Sequence, residues 1–411
     1  MKSSALPAVA ATMILLVSAA PVQAVEADDA PTAVSDPEAE KAPLPALKKA
    51  EAKSEWQIKP RWRVQYDVAE IDGPAGLNGI GKYEDIRRAR IGVDLKMPSG
   101  FAARVEAELS TDPIELTDAY LQWNNSSFKV VAGQQKPQLP LDEENSNLNI
   151  SFLERAAFVT AFGYGRRTGV SGHYNKGDWS VAGGVYTDPL IALNDVATNS
   201  TSVDFRTFWS PKVGKTKVHL AAAYHWRDLN DAGAAPTRYR SRPSIRITDA
   251  RYIGTPGLAV EKEQRFGLEA AAVNGRFHFA SEAHWLKPGR VSTADPTFFG
   301  GYVEAGMFLT GDSRPLKGGL FGAIKPKKPV GSGGIGAVQV NVRYDYLDLN
   351  SRGIVGGKQN GYLASLIWTP AENFRLMGQY SKLRYTDAAI AVAGDRSYTV
   401  DVIGVRGQIS F

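Results

Sequence analysis

Apolar and polar positions alternate to the last residue of the chain. Ile403, Val405, Gly407, Ile409 and Phe411 fall on one face, and Val402, Gly404, Arg406, Gln408 and Ser410 on the other, because side chains along a strand alternate with period two. One face could sit in lipid and the other in water, and an aromatic last residue suits the closing strand of an outer-membrane β-barrel. An ordinary half-buried sheet strand would alternate too, so the rest of the chain must decide.

Similar segments fill the sequence from Trp56 onward. Val338, Val340, Val342, Tyr344 and Tyr346 alternate with Gln339, Asn341, Arg343 and Asp345; Val218, Leu220, Ala222, Tyr224 and Trp226 alternate with Lys217, His219, Ala221, Ala223, His225 and Arg227. A soluble sandwich would not keep charge so regularly on one face and aromatics on the other. The pattern predicts about sixteen strands, starting near residues 57, 84, 100, 115, 127, 165, 177, 202, 215, 262, 276, 298, 334, 357, 373 and 397. An even count places both ends on the periplasmic side. Short turns such as Pro98-Ser99-Gly100 and Asn274-Gly275 then face the periplasm, and longer loops at 137–164, 189–201, 229–261 and 387–396 face outward. Two connections depart from this rule: the outward one at Thr111–Ile114 is short, and 311–333 is long on the periplasmic side.

The N-terminus supports export. Met1-Lys2 precedes an apolar run from Ala8 to Ala20, and Val22-Gln23-Ala24 offers a small-residue cleavage site, so residues 1–24 are expected to be a signal peptide. Residues 25–55, rich in Ala, Pro, Glu, Asp and Lys, cannot bury a core and are expected to form a flexible periplasmic leader. Residues 56–411 form the expected barrel domain. No apolar run reaches the roughly 20 residues that a spanning helix needs. Cysteine is absent, which excludes disulfides and thiolate metal sites. With 40 Gly, 8 Trp, 16 Tyr and 16 Phe the composition suits many turns and interfacial aromatic girdles. Mean hydropathy is slightly negative, as expected when lipid-facing and lumen-facing residues cancel in any window. A net charge of +5 is too small to indicate nucleic-acid binding.

The candidate chemistry is basic. Arg238, Arg240, Arg242 and Arg246, followed by Arg251, recur mostly every second residue. In an extended segment this sets guanidinium groups on one side roughly 6.5–7 Å apart, a ladder along which an oxyanion could step. Guanidinium stays charged and offers a planar fork to phosphate or carboxylate; a solvated basic loop holding lipopolysaccharide is the alternative. Arg61, Arg63, Arg88 and Arg90 lie on polar phases and should face the lumen, where charge stays hydrated; facing lipid at mid-depth each would cost about 2–4 kcal/mol. The five histidines stand in alternating segments and not in a metal-binding or nucleophile motif, so an enzyme, such as a hydrolase on a barrel wall, fits less well. No catalytic residue, metal ligand or cofactor is expected.

Six ordered stretches carry a family resemblance: Ile86-Arg87-Arg88-Ala89-Arg90, Thr117-Asp118-Ala119-Tyr120-Leu121, Val131 to Pro137, Phe152-Leu153-Glu154-Arg155-Ala156, Gly165 to Val170 and Leu309 to Pro315. With Tyr224 to Arg246, they resemble the phosphate-selective porin O and P family over about residues 57–411. The resemblance implies a transmembrane antiparallel barrel of about sixteen strands in the outer membrane, usually a homotrimer, whose third extracellular loop folds inward. It implies an anion pathway at Arg238, Arg240, Arg242 and Arg246 and a constriction at Arg87, Arg88 and Arg155. Strict alternation would put Arg87 on the lipid face, so a bulge or rim position is required there. Where phosphate-selective members carry a loop lysine, this chain has Glu143. An acidic residue at the constriction would repel phosphate, so the expectation is anion-leaning rather than tightly selective passage of small anions such as phosphate or polyphosphate, with general diffusion of other polar solutes as the alternative.

Overall fold

The computed structural model describes residues 56–138, 140–163, 165–192, 200–230 and 236–411; the expected signal peptide and leader lie outside them. Sixteen antiparallel strands form one closed barrel. They are β1 (Gln57–Asp72), β2 (Gly81–Lys96), β3 (Phe101–Glu108), β4 (Glu115–Asn124), β5 (Phe128–Gln135), β6 (Arg167–Lys176), β7 (Trp179–Tyr186) and β8 (Thr201–Trp209). They continue as β9 (Thr216–Asp228), β10 (Val260–Asn274), β11 (Phe277–Arg290), β12 (Phe298–Phe308), β13 (Ala337–Ser351), β14 (Ile354–Ala371), β15 (Phe374–Thr386) and β16 (Tyr398–Ser410). Each strand pairs with its sequence neighbour, and β1 pairs with β16 from Arg63↔Ser410 to Asp72↔Asp401. Closure leaves no sheet edge with unpaired backbone groups, which a hydrocarbon environment could not satisfy.

The terminal phenylalanine completes the seam. Trp62 N donates to Phe411 O at 3.1 Å and Phe411 N to Trp62 O at 2.9 Å, while the two rings stack at 4.6 Å. Along β1 the faces separate as the alternation requires: Trp62, Val64, Tyr66 and Val68 are exposed, and Arg63, Gln65 and Asp67 are buried. The exposed set faces lipid and the buried set faces the lumen. Connections at the end where β1 starts are mostly tight, such as Gly275-Arg276 between β10 and β11. At the opposite end most are long, although β13 and β14 are joined by Arg352-Gly353 alone.

The apolar core lies inside the barrel. Between β5 and β6 the chain forms two short helices, α1 (Leu141–Glu144) and α2 (Ala157–Phe162). Leu141, Leu153, Ala156, Phe158 and Phe162 from this loop cluster with Tyr239, Ile245, Tyr252 and Ile253 from the loop after β9, and with Leu286, Phe298, Leu347 and Leu383 from the wall. Glycine permits the closest approaches: a Cβ on Gly300 would lie 2.4 Å from Phe158 Cβ, and one on Gly404 would lie 2.6 Å from a Leu153 methyl. Lumen-facing strand residues receive the loop's backbone. Glu282 accepts from Asp142 N at 2.7 Å, Asp345 from Ala157 N at 2.9 Å and Gln379 from Leu153 N at 2.8 Å. Arg375 donates to Leu148 O and Ile150 O at 2.8 and 2.7 Å. These contacts carry the loop across the lumen and satisfy backbone groups that would otherwise be buried unpaired.

The connection between β12 and β13 also turns inward. Leu316–Lys317 and Leu320–Phe321 form a small hairpin, with Leu316 and Phe321 buried in the lumen cluster. Within the long 311–333 segment, anomalous as a turn, the hairpin at 316–321 is thus an internal element, while most of 325–333 is exposed.

Candidate pore and constriction

Two polar cavities of about 360 and 410 Å³ lie along the wall formed by β1–β6. The outer one reaches Asp85, Glu115, Arg242 and Arg246 toward the loop end. The inner one reaches Arg61, Arg104, Tyr120, Lys129 and Phe321 toward the end where the chain begins and closes the barrel. Arg88, Arg90, Glu143, Arg155 and Arg166 line both, so the path passes between them.

A bulge solves the problem of Arg87. In the β1–β2 ladder Gln65 pairs with Arg88 and Tyr66 with Ile86, leaving Arg87 as the extra residue and turning two consecutive arginines inward. Both are buried, but they differ in company. Arg87 makes a two-pronged pair with Glu154 at 2.5 and 2.9 Å, and Glu154 also meets Arg406, itself bound to Asp67 at 2.6 and 2.7 Å. Burial alone would raise the Glu154 carboxyl; the adjacent Arg87 guanidinium outweighs it and holds that carboxyl well below the usual range. Arg88 instead donates to Gln65 at 2.7 Å, and among the described residues no carboxylate lies within 4 Å of it.

Glu143 stands between two cations. Arg155 Nε lies 3.2 Å from one carboxylate oxygen and Lys136 Nζ 3.8 Å from the other. Arg155 also donates to the carbonyls of Asp142, Glu143 and Asn145 at 2.7, 3.0 and 3.0 Å, tying off the end of α1. Its guanidinium therefore shapes the loop as well as lining the path. Burial pulls the Lys136 ammonium down to about 8 against the opposing pull of Glu143.

The arginine run is divided by a turn. Thr237 bridges Leu258 and Arg240 pairs with Gly254, so 237–241 is extended and Arg238 and Arg240 are exposed. Arg242 binds Thr248 O at 2.9 Å and Asp249 at 2.7 Å. The chain then bends at Ser244, where φ is 52°, before Arg246. Even rung spacing therefore stops at Arg242. Of the four, Arg242 and Arg246 line the outer cavity and Arg238 and Arg240 line neither.

Sequence reasoning overlooked Arg166 and Lys136 although both stand in the motif stretches. Arg166 pairs with Asp118 at 2.6 Å. Other wall cations are matched similarly: Arg90 with Glu108 at 2.7 Å and Glu106 at 3.1 Å, and Arg61 and Arg104 with Asp94 at 2.9 and 2.6 Å. The histidines join the lumen wall, with His219 beside Glu269 at 3.3 Å and His225 bonded to Asp204. Among the described residues no cluster of His, Cys, Asp or Glu could hold a metal ion.

A closed sixteen-stranded barrel with an apolar outer wall and a charged internal path is an outer-membrane porin. The sequence profile described as phosphate-selective porin O and P matches residues 58–411, and the chain belongs to that family. It is 43% identical over 364 residues to an uncharacterized protein of Caulobacter vibrioides, covering 86% of this chain and 74% of that one. Among solved structures, the fold is similar to OmpT of Vibrio cholerae with its loop L8 deleted (TM-score 0.57, 10% identity, 87% of this chain and 99% of that chain). It is also similar to an anion-selective porin from Comamonas acidovorans (0.53, 12%, 87% and 100%) and to the channel DcaP of Acinetobacter baumannii (0.54, 11%, 88% and 99%). Family and fold point to a channel and not to an enzyme.

Proposed function

We propose that this porin gives passive, anion-leaning diffusion of small anions such as phosphate, entering past Arg246 and crossing at Arg88. The carrying observation is that these two guanidinium groups line the path with no carboxylate within 4 Å among the described residues, whereas Arg87, Arg90, Arg155 and Arg166 are each matched. One ion pair at about 4 Å and effective dielectric 20 is worth roughly 4 kcal/mol before desolvation. Two spaced cations, Arg246 exposed and Arg88 buried at the cavity wall, attract an anion at separate sites without one deep trap, as conduction requires. The family and the anion-selective neighbour support the same direction. The channel acts without catalysis or cofactor, behind a cleaved signal peptide, as a homotrimer like the trimer form of OmpT, and sits among outer-membrane lipid and lipopolysaccharide.

The matched pairs favour a second reading, a general-diffusion pore with weak selectivity. Single-channel reversal potentials in a salt gradient decide between them. The anion reading expects a chloride-selective potential and a chloride current reduced by added phosphate; a potential near zero with no phosphate block supports general diffusion.

A further inference from the structure

The stretch Leu309 to Pro315 belongs to the family resemblance, yet the pathway does not use it. Its arginine, Arg314, is buried and lies in the connection that turns inward between β12 and β13. The guanidinium holds three things at once. It donates to Ser151 Oγ at 2.7 Å and to Asn149 O at 2.8 Å, both in the loop that crosses the lumen, and it pairs with Glu304 of β12 at 3.1 Å. Its flat face lies 3.9 Å from the centre of the Phe321 ring. The hairpin adds a second grip: Phe321 N donates to Asn145 Oδ1 at 2.8 Å, one residue beyond α1. Lys217 of β9 donates to Leu316 O at 3.3 Å and ties the hairpin to the wall three strands from β12.

We infer that the Leu309–Gly336 connection is a clasp that sets the pore aperture, with Arg314 as the positioning residue. It grips residues 145–151 directly after Glu143 and Glu144, so the acidic end of α1 is held from the mouth opposite to the one from which its own loop enters. Leu320 and Phe321 at the hairpin tip also line the inner cavity. The wall already holds this loop at Asp142, Leu148, Ile150, Leu153 and Ala157; the clasp adds the hold on Asn145, Asn149 and Ser151 that fixes the chain directly after α1. The inference rests on the reading that α1 and Arg155 border the narrowest point.

Arg314→Gln removes the charge and the fork but leaves the strands intact. Purified full-length protein in planar bilayers is measured at high salt, where a Debye length of about 3 Å suppresses surface-charge effects. The expected result is normal heat-modifiable assembly, a conductance at least about 1.5-fold higher, stepwise flicker absent from the wild type, and an altered anion-to-cation permeability ratio because Glu143 has moved. Arg314→Lys should lie between the two. The double variant Asn145→Ala/Ser151→Ala removes the loop's two side-chain holds on the clasp, leaving the Asn149 carbonyl and the Arg314–Glu304 pair, and should change conductance and flicker in the same direction. It decides alone if Arg314→Gln fails to assemble. Assembled variants with wild-type conductance, noise and permeability ratio overturn the inference. Cation selectivity in the wild type would overturn the anion reading and leave the clasp to stand or fall on conductance and noise.

Discussion

The two halves of the lumen use the same residue types for opposite ends. Along β10–β16 the inward charges meet one another and the loop: Arg343 binds Glu304 at 2.6 Å and Asp142 at 3.5 Å and lies 4.6 Å from the Phe152 ring and 4.3 Å from the Tyr302 ring. Most of that side is filled, and only Asp345 and Gln359 among its described strand residues border the outer cavity. Along β1–β6 the arginines border the two cavities, and Arg88 has no carboxylate within 4 Å among the described residues. A filled lumen makes a buried pair costly to break, since the abandoned partner keeps its desolvation penalty. An open lumen makes the same loss cheap for stability and expensive for selectivity.

Breaking the filled half should have the largest effect. Arg343→Ala takes the cation from Asp142, leaves Glu304 with Arg314 as its one remaining cation within 4 Å among the described residues and opens a void beside Phe152, a loss of about 3–5 kcal/mol; loss of the folded, heat-modifiable band is the expected readout. An unaffected barrel would mean that the loop contributes little to its stability. Next comes the open half. Arg88→Gln should lower anion-to-cation permeability several-fold at neutral pH while the heat-modifiable band persists, because Gln can still meet Gln65 and no carboxylate is orphaned. Equal loss of stability in both variants would erase the difference between the halves.

The exposed rungs sharpen the comparison further. Arg238→Gln, Arg240→Gln and Arg242→Gln combined should reduce anion conductance mainly at low salt, where the Debye length is about 30 Å at 0.01 M against about 3 Å at 1 M. A deficit that persists at high salt would place them inside the path; normal conductance with weakened lipopolysaccharide retention would make them a surface anchor. The smallest effect concerns Lys136, whose ammonium titrates at about 8. It is charged below that value and neutral above, so anion conductance should fall modestly as pH rises through 8, and Lys136→Arg should flatten the profile.

Much of this architecture was legible in the chain. The sixteen segment starts lie within a few residues of the strands, since period-two alternation is a local property that lipid on one side and water on the other preserve. The need for a bulge or a rim position at Arg87 was readable from the conflict between strand phase and the family resemblance. The inward hairpin at 316–321 was not, because a connection carries no period and its partners, Asn145, Asn149 and Ser151, lie more than 150 residues away. The even ladder was over-read for a similar reason: spacing by two implies rungs only while the backbone stays extended, and Ser244 turns it.

Sequence by itself determined the barrel, its strand count, the two faces of each strand and the seam at Phe411, all of which follow from side-chain alternation and the requirement that every backbone group in lipid be paired. Only the tertiary structure decided which arginines are free to meet an anion. Arg87 and Arg88 are neighbours with the same chemistry, yet Glu154 bonds directly to one while the other bonds Gln65. Countercharge depends on which distant segment the closed barrel brings within 4 Å, as with Arg406 and Asp67 at opposite ends of the domain, and no local pattern records that distance.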